Sequence, residues 1–296
     1  MAGYILSCCS TADLTRAHFE RRDIRYICFH YELDGKTYDD DLGETIPFAD
    51  FYKAMDEGAD TRTSQVNIVE YAEYFTRLIE EEQKDILHVS LSSGLSGSCN
   101  SARQAAEQVM EAHPDRRVIV VDSLAASSGF GLLMDALADQ RDAGVTLDEA
   151  AAWVESHKCH MHHWFFSTDL KFFIKGGRVS KTAGTIGMLL GICPLLNVDQ
   201  EGHLIPRAKI RGKKKVIEAI VERMEQHADK GLAYNGKCYI SYSACYEDAR
   251  QVADLVEAKF PQLAEPVQLY DIGTTIGSHT GPGTVALFFW GDERVD

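Results

Sequence analysis

Residues 85–101 read DILHVSLSSGLSGSCNS, a short apolar run that changes abruptly into serines and glycines. The run Asp85–Leu91 predicts a buried strand, and the pattern from Ala102 to Met110 predicts a helix. A segment rich in hydroxyls and glycines between such a strand and a helix lies where open α/β sheets bind their ligands. The same strand–helix order is repeated along the chain and predicts an α/β fold.

Alternation of strands and helices extends over the first half of the chain. The apolar runs at 4–7, 26–31 and 117–123 predict strands, and helical patterns begin near Ala12 and Gly129. Buried strands that alternate with helices indicate a parallel sheet with helices on both faces.

The second half of the chain has a different pattern. The runs ICPLLNV (192–198) and HLIPRAKI (203–210) flank a turn and predict a hairpin, and further strands and helices follow. A chain of 296 residues ordinarily forms two domains. We therefore expect a two-domain α/β fold, with a parallel-sheet domain at residues 1–163 and a mixed-sheet domain at residues 164–296.

The chain carries a formal charge of −15, from 45 acidic and 30 basic residues. Nucleic acids and anionic membrane surfaces attract concentrated basic patches, so this composition argues against both as partners. No window approaches the roughly 18 apolar residues of a membrane span, and no early segment has the pattern of a secretory signal. The eight cysteines show no C-x-x-C spacing. We therefore expect a cytoplasmic protein with reduced thiols.

The serine-rich stretch has three interpretations: a flexible surface loop, a nucleophile site or a cradle for an anion. A nucleophile elbow has the spacing G-x-S-x-G, which Gly94-Leu95-Ser96-Gly97 misses by one residue. It also lacks the spacing of a nucleotide-binding P-loop. Backbone N–H groups at the start of a helix favour an anion, and glycines let the chain approach it closely. The anion cradle is the favoured interpretation, with a serine that merely caps the helix as the alternative.

Three other segments combine small and polar residues. TRTSQ (61–65) precedes a predicted helix and by itself indicates capping chemistry. KGGRVSK (175–181) places an arginine after paired glycines, either in an ordinary surface turn or in one that aims a guanidinium at a carboxylate or phosphate. GSHTGPG (277–283) holds His279 between two predicted strands. A histidine in such a rigid loop can be a hydrogen-bond donor, a base or a ligand. The alternative is a histidine with none of these roles.

HKCHMHHW (157–164) contains four histidines and a cysteine within eight residues. Metal sites usually draw on spaced pairs held on regular elements, and no matching Cys, His or acidic cluster is evident elsewhere in the sequence. We therefore expect a plain surface segment, or adventitious metal binding, in preference to a native metal site.

In their order along the chain, the motifs TSQ, SSGLSG, GGRVS and HTGPG resemble those of the DegV family of fatty-acid-binding proteins. STADL (10–14) is similar to the family's early S-T-S-D-L, and VDSLAASSGFGLL (121–133) is similar to its V-D-S-x-x-A-S-x-G-x-G. The resemblance extends from about Ser10 to Gly291, nearly the whole chain. One position departs from the pattern, because Cys9 stands where the family commonly has an aspartate.

The resemblance implies a protein that buries the acyl chain of a long-chain fatty acid and leaves the carboxylate at an interdomain cleft. Such carriers present the carboxylate to the catalytic subunit of a fatty acid kinase, which forms an acyl phosphate for phospholipid metabolism. The carrier itself would then be no enzyme and would need no cofactor and no metal. Carried over by motif, the residues at the carboxylate would be Thr63, Ser64, Ser93, Ser96, Arg178, His279 and Thr280.

An acyl chain needs a long apolar enclosure. We expect lining residues within Trp164–Phe166, Phe172–Ile174 and Met188–Leu196, which places the acyl-chain pocket in the second domain. Two other functions stay open. One is a hydrolase or phosphotransferase with a serine nucleophile from SSGLSG and His279 as its base. The other is a regulatory protein that uses the bound lipid as a signal.

Overall fold

The computed structural model describes residues 3–180 and 191–294 and forms three β-sheets from them. The strands are β1 (Tyr4–Cys9), β2 (Ile24–Ile27), β3 (His30–Leu33), β4 (Lys36–Asp39), β5 (Thr61–Ser64), β6 (Asp85–Ser90), β7 (Val118–Asp122), β8 (Met161–Ser167), β9 (Ile192–Val198), β10 (Leu204–Arg211), β11 (Tyr239–Tyr242), β12 (Gln268–Asp271) and β13 (Thr284–Trp290). The helices are α1 (Arg16–Arg21), α2 (Phe48–Asp56), α3 (Ile68–Glu82), α4 (Ser98–Ala112), α5 (Ser127–Asp142), α6 (Leu147–His157), α7 (Lys171–Lys175), α8 (Lys213–His227), α9 (Tyr246–Lys259) and α10 (Thr274–Thr280).

The first sheet is parallel throughout, in the order β2-β1-β6-β7. All six residues of β1 are buried, as expected for a strand covered on both faces. Helix α3 begins with a capping box between Asn67 and Glu70, which satisfies free N–H groups of its first turn. The parallel sheet predicted from the alternating pattern is confirmed.

The second sheet has six strands, in the order β10-β9-β8-β13-β11-β12. Strands β11 and β12 are parallel, and the other neighbours are antiparallel, so the predicted mixed sheet and the hairpin of β9 and β10 are confirmed. The predicted domain boundary at 163/164 falls inside β8. The division into two domains stays a prediction.

A third, antiparallel sheet in the order β4-β3-β5 was not expected from the sequence. The run at 26–31, predicted as one strand, breaks at Cys28 and Phe29 and supplies β2 to the parallel sheet and β3 to this one. The segment TRTS, interpreted as capping chemistry, is strand β5, and Thr63 pairs with Tyr31. Short polar strands of this kind gain their stability from the neighbouring strand rather than from an apolar pattern of their own.

The six-stranded sheet separates two hydrophobic clusters. Phe165 and Phe288 face the parallel sheet, whereas Trp164, Phe166 and Leu287 face α8 and α9. This division follows from the alternation of side chains along a strand. The face turned toward the parallel sheet forms one wall of the site described below.

Cys8 and Cys9 are buried with free thiols at the end of β1, as expected for small apolar residues of a first strand. Burial raises the pKa of the Cys9 thiol, which is surrounded by Leu91, Thr11 and Tyr71. The residue in the family's aspartate position therefore packs beneath the serine-rich loop as a neutral group. Among the described residues, no helix is both long and apolar enough to cross a membrane.

His88 gives the fold a testable pH dependence. It is fully buried on β6, with Nδ1 2.9 Å from the Ser7 hydroxyl and with Tyr71 and Phe75 against its ring. Burial lowers the pKa of His88 to about 3. Between about pH 6.5 and pH 3, His88 is therefore protonated in the unfolded chain but stays neutral in the folded chain. The contribution of the neutral ring to the free energy of unfolding is thus fully present above pH 6.5 and is lost as the pH falls toward 3.

We expect His88→Phe to remove this dependence. At pH 5 the wild type should have lost about 2 kcal/mol more of its pH 7 unfolding free energy than the variant has. Urea unfolding at both pH values measures the difference, and His203→Phe at an exposed position is the control. Ser7 keeps a partner in the variant, because its hydroxyl also lies 2.8 Å from the Tyr74 hydroxyl. Equal pH slopes for wild type and variant would contradict the prediction.

Candidate functional site

One cavity of about 660 Å³ brings together all seven residues predicted at the carboxylate. It lies between the C-terminal end of β6 and one face of the six-stranded sheet, and both halves of the chain line it. The predicted residues in its wall are Thr63, Ser64, Ser93, Ser96, Arg178, His279 and Thr280. Four distant segments of the sequence therefore meet at one place. That these side chains contact a carboxylate stays a prediction.

The serine-rich loop between β6 and α4 is held firmly. The Ser92 hydroxyl accepts a hydrogen bond from Gly94 N at 3.1 Å and donates one to the Gly202 carbonyl at 2.9 Å. A side chain on Gly94 would place its Cβ 2.9 Å from the Glu201 and Gly202 carbonyl oxygens, so the hairpin turn between β9 and β10 requires a glycine here. These contacts do not fit a flexible surface loop.

The backbone amides of this loop are largely occupied, contrary to the expectation that they would support an anion. Ser93 N donates to Asp122 Oδ1 at 3.1 Å, and the amides of Leu95 and Ser96 donate to the Ser92 carbonyl. The Ser96 hydroxyl accepts from Ser98 N at 3.2 Å, so it partly fills the capping role considered as an alternative. A hydroxyl that accepts one bond can still donate its own proton. The serine hydroxyls are therefore still available as donors for a ligand.

His279 lies on helix α10, not in the rigid loop expected from GSHTGPG. The helix forms because Gly281 and Pro282 come only after its last residue, Thr280, where a helix commonly ends. The ring lies with Nε2 2.7 Å from the Thr63 hydroxyl, and its Nδ1 has no partner among the described residues.

The protonation state of His279 determines whether the Thr63 hydroxyl donates its proton to the ring or has it available for a group in the cavity. Burial, with Arg178 and Lys175 nearby, lowers the pKa of His279 to about 4, so the ring is neutral near pH 7. A neutral imidazole has one N–H, and in the tautomer that carries it on Nε2 the ring donates to the Thr63 hydroxyl oxygen. The Thr63 hydroxyl proton is then free to be donated into the cavity.

Arg178 joins the turn after α7 to the serine-rich loop. Its Nε and Nη2 donate to the Leu95 carbonyl at 3.1 and 3.0 Å, and its Nη1 donates to the Gly176 carbonyl at 2.5 Å. Burial lowers the pKa of the guanidinium, but an arginine stays charged at neutral pH. The cavity wall thus carries a positive charge whose hydrogen bonds, among the described residues, go to neutral carbonyl groups.

Two buried carboxyl groups bind the first residues of α10 and of α5, and the sequence reasoning did not single them out. Asp40 accepts from the Thr274 hydroxyl at 2.8 Å and from the Ser10 hydroxyl at 3.1 Å. Asp13 accepts from the Ser127 hydroxyl at 2.5 Å. Burial raises the pKa of both groups, most strongly that of Asp13. Asp13 belongs to the STADL motif, so the motif could have identified it.

The interior of the cavity is apolar and buried. Of the predicted lining, Phe165 and Phe173 are in the wall, together with Val198, Ala286 and Phe288. The other described residues of the predicted segments do not line the cavity. Trp164 and Phe166 point to the opposite face of β8, and Phe172 packs in a separate cluster with Phe51 and Tyr52. Residues 188–190 lie outside the described residues.

Several lining residues were missed by the sequence reasoning. The polar ones are Gln65, Ser127, His163, Thr275 and Thr284. His163 was placed on the surface with its neighbours, yet it is buried on β8, because that strand begins at Met161 and crosses the middle of the sheet. The burial of this central strand on both faces was hidden by the polarity of its histidines.

The geometry gives no support to a serine nucleophile. A nucleophilic serine requires a base within hydrogen-bond reach of its hydroxyl. His279 instead bonds Thr63, and among the described residues no hydrogen bond joins it to a serine or to a carboxylate. The hydroxyls in this site are arranged as hydrogen-bond donors.

A cavity with polar and apolar lining, next to a parallel and a mixed sheet, has a lining that suits an elongated amphiphile. The chain belongs to the DegV family: the family model, described as "Uncharacterised protein, DegV family", matches residues 9–292. A DegV domain-containing protein of Clostridium perfringens is 34% identical over 294 residues, which is 99% of each chain. A protein of Thermotoga maritima named "Fatty acid-binding protein" is 30% identical over 283 residues, 94% of each chain.

Solved structures share the fold over the whole chain. The structure described as fatty acid binding of a DegV family protein from Thermus thermophilus has a TM-score of 0.85 at 28% identity, covering 97% of this chain and 99% of that one. The Streptococcus pneumoniae fatty acid kinase B3 protein, loaded with linoleic acid, has a TM-score of 0.83 at 22% identity, covering 99% and 100%. These neighbours bind fatty acids, and the α/β fold of this chain is theirs.

Proposed function

We propose that this protein binds a long-chain fatty acid and presents its carboxylate to the catalytic subunit of a fatty acid kinase. The observation that carries the proposal is the gradient along the cavity wall. Ser64 and Ser93 are exposed at one end, whereas Phe165, Phe173 and Phe288 are buried at the other. A fatty acid has the matching distribution of polarity.

The apolar wall supplies most of the binding free energy in this proposal. Each buried methylene contributes about 0.8 kcal/mol, so burying about ten of them contributes about 8 kcal/mol before the costs of binding. The Ala286 side chain on β13 is small and leaves room between Phe165 and Phe288 for the chain. Chemically similar acyl chains would then be distinguished by length and shape.

The polar end orients the ligand. Thr63, Ser93 and Ser96 offer hydroxyl donors, and Arg178 adds a positive charge that favours the ionised carboxylate. The side chain of His279 acts through Thr63, whose hydroxyl proton it leaves free. Because the carboxylate lies at the exposed end, a partner protein can reach it without displacing the acyl chain.

Presentation to a kinase rests on the motif resemblance and on the fold shared with the Streptococcus pneumoniae kinase B3 protein. In this proposal the carrier has no catalytic residue and needs no cofactor, and phosphoryl transfer takes place on the kinase subunit in the cytoplasm. The hydroxyls and the guanidinium hold the attacking carboxylate in one orientation, which is the part of a phosphoryl transfer that a carrier can supply.

Fatty acid binding predicts that the protein carries lipid when it is purified. Native mass spectrometry of the full chain from a bacterial host should show a mass increment equal to one fatty acid, and solvent extraction should identify it. Because the buried methylenes hold the ligand tightly, the lipid should survive gentle purification. An empty chain under mild conditions, with no uptake of added fatty acid, would contradict the proposal.

The kinase step has its own test. Ser93→Ala combined with His279→Ala should lower the rate of acyl-phosphate formation by a fatty acid kinase catalytic subunit at least about tenfold, because hydrogen bonds to a charged group contribute about 1.5–3 kcal/mol each. The control is Ser156→Ala with His157→Ala, a serine–histidine pair 2.9 Å apart outside the cavity wall. Unchanged turnover by the first variant would remove these residues from the site. Turnover of acyl or phosphoryl esters without the kinase would favour the hydrolase alternative.

A further inference from the structure

The histidine-rich segment at 157–164 is not a plain surface segment in the structure. His162 is 4% exposed on β8, on the face opposite His163 and the cavity. Two other residues approach it: His227, the last residue of α8, and Asp292, which follows β13. The metal-binding atoms of His162, His227 and Asp292 all lie within 4.8 Å of one another.

Two distances within this cluster are close to those between the ligand atoms of a bound transition metal. His162 Nε2 lies 2.9 Å from Asp292 Oδ1, and His227 Nδ1 lies 3.2 Å from the same oxygen. Tetrahedral zinc, with bonds of about 2.0–2.1 Å, holds its ligand atoms about 3.3 Å apart. His162 Nε2 also donates a hydrogen bond to the Asp292 carbonyl oxygen at 2.9 Å, so metal binding through Nε2 requires the ring proton to move to Nδ1.

Aromatic packing holds both imidazole rings in place. The His162 ring stacks on Phe289, with centroids 5.2 Å apart and planes at 5°. The His227 ring stacks between His162, at 5.0 Å, and Trp164, at 5.7 Å. Ligands fixed in this way lose little freedom when an ion binds. Asp292 is well exposed, so an ion has an entry path.

The charge and donor chemistry favour zinc over calcium or magnesium. Two imidazole nitrogens and one carboxylate suit zinc and its neighbours, whereas calcium and magnesium take oxygen ligands.

We propose that His162, His227 and Asp292 form a binding site for one zinc-like divalent transition-metal ion. The ion would link the central strand β8, the end of α8 and the segment after β13. It lies on the far side of the sheet from the cavity and is independent of the proposed fatty acid function.

The test uses the full chain without an affinity tag, stripped of metal with a chelator and titrated with Zn²⁺ by calorimetry. We expect one Zn²⁺ per chain, and Co²⁺ should give visible absorption of a tetrahedral site. His227→Gln and Asp292→Asn each replace a ligand at the rim, where folding is not at risk, and each should weaken Zn²⁺ binding at least about tenfold.

His157→Gln is the matched control, because His157 belongs to the same histidine-rich segment but not to the cluster. It should leave Zn²⁺ affinity unchanged. Two outcomes would overturn the site: no stoichiometric binding by the wild type, or equal weakening by His157→Gln and by the cluster variants. Circular dichroism of each variant confirms that it is folded, so that lost binding reports on the ligands.

Discussion

Ala286→Trp should abolish co-purification of a fatty acid. Ala286 is buried in the cavity wall on β13, beside Phe165 on the neighbouring strand and two residues from Phe288. An indole at this position fills the space proposed for the acyl chain, and tryptophan is well tolerated in strands. Excluding about five methylenes costs about 4 kcal/mol, which lowers affinity roughly a thousand-fold. Native mass spectrometry and a fatty acid titration measure the loss.

The control for this prediction is the same substitution on the surface. Ala112 is exposed at the end of α4, so Ala112→Trp adds an equal side chain without entering the cavity. It should carry as much lipid as the wild type. Thermal unfolding shows whether Ala286→Trp is folded. A folded Ala286→Trp protein that retains its lipid would show that the acyl chain lies elsewhere.

Gly176→Ala should weaken fatty acid binding about 10- to 100-fold while the fold is retained. Gly176 has φ −74°, which alanine adopts without strain, but its new Cβ would overlap with Nδ1 of His279. The ring must then turn away, and the 2.7 Å contact between His279 and Thr63 is lost. A hydrogen bond that supports a charged ligand contributes about 1.5–3 kcal/mol, which corresponds to this loss of affinity.

Gly177, the next residue, provides a control in which stability should fall but lipid affinity should not. Gly177 has φ +71°, so Gly177→Ala strains the backbone by roughly 1 kcal/mol. The added methyl group would have no atom within 4 Å, so His279 stays in place. We expect a lower unfolding temperature with normal lipid affinity for Gly177→Ala. If Gly176→Ala also binds normally, His279 and Thr63 do not position the head group.

Much of the fold was predictable because it depends on local patterns. The parallel sheet followed from buried strands alternating with helices, and the hairpin of β9 and β10 followed from two apolar runs around a turn. The small antiparallel sheet was not predictable. Its strand β5 is polar and four residues long, and such a segment becomes a strand only when a partner such as β3 lies beside it.

The candidate site shows the same division. The resemblance of four motifs to those of the DegV family selected seven residues, and the structure places all of them in one cavity wall. Sequence reasoning could not foresee that the amides of Ser93, Leu95 and Ser96 are already hydrogen-bonded. It also could not tell Phe165, which faces the cavity, from its neighbours Trp164 and Phe166, because the register of β8 decides which side chains alternate toward which face.

The sequence by itself determined the α/β class, the family and seven residues of the candidate cavity wall, because these depend on periodicity and on motifs that resemble those of the family. Only the tertiary structure decided which groups act together. His279 is neutral and held by Thr63 because burial and packing surround it, and His162 meets His227 and Asp292 because three distant segments converge behind β8. Burial and long-range contacts set protonation and geometry, and no local pattern along a chain encodes either.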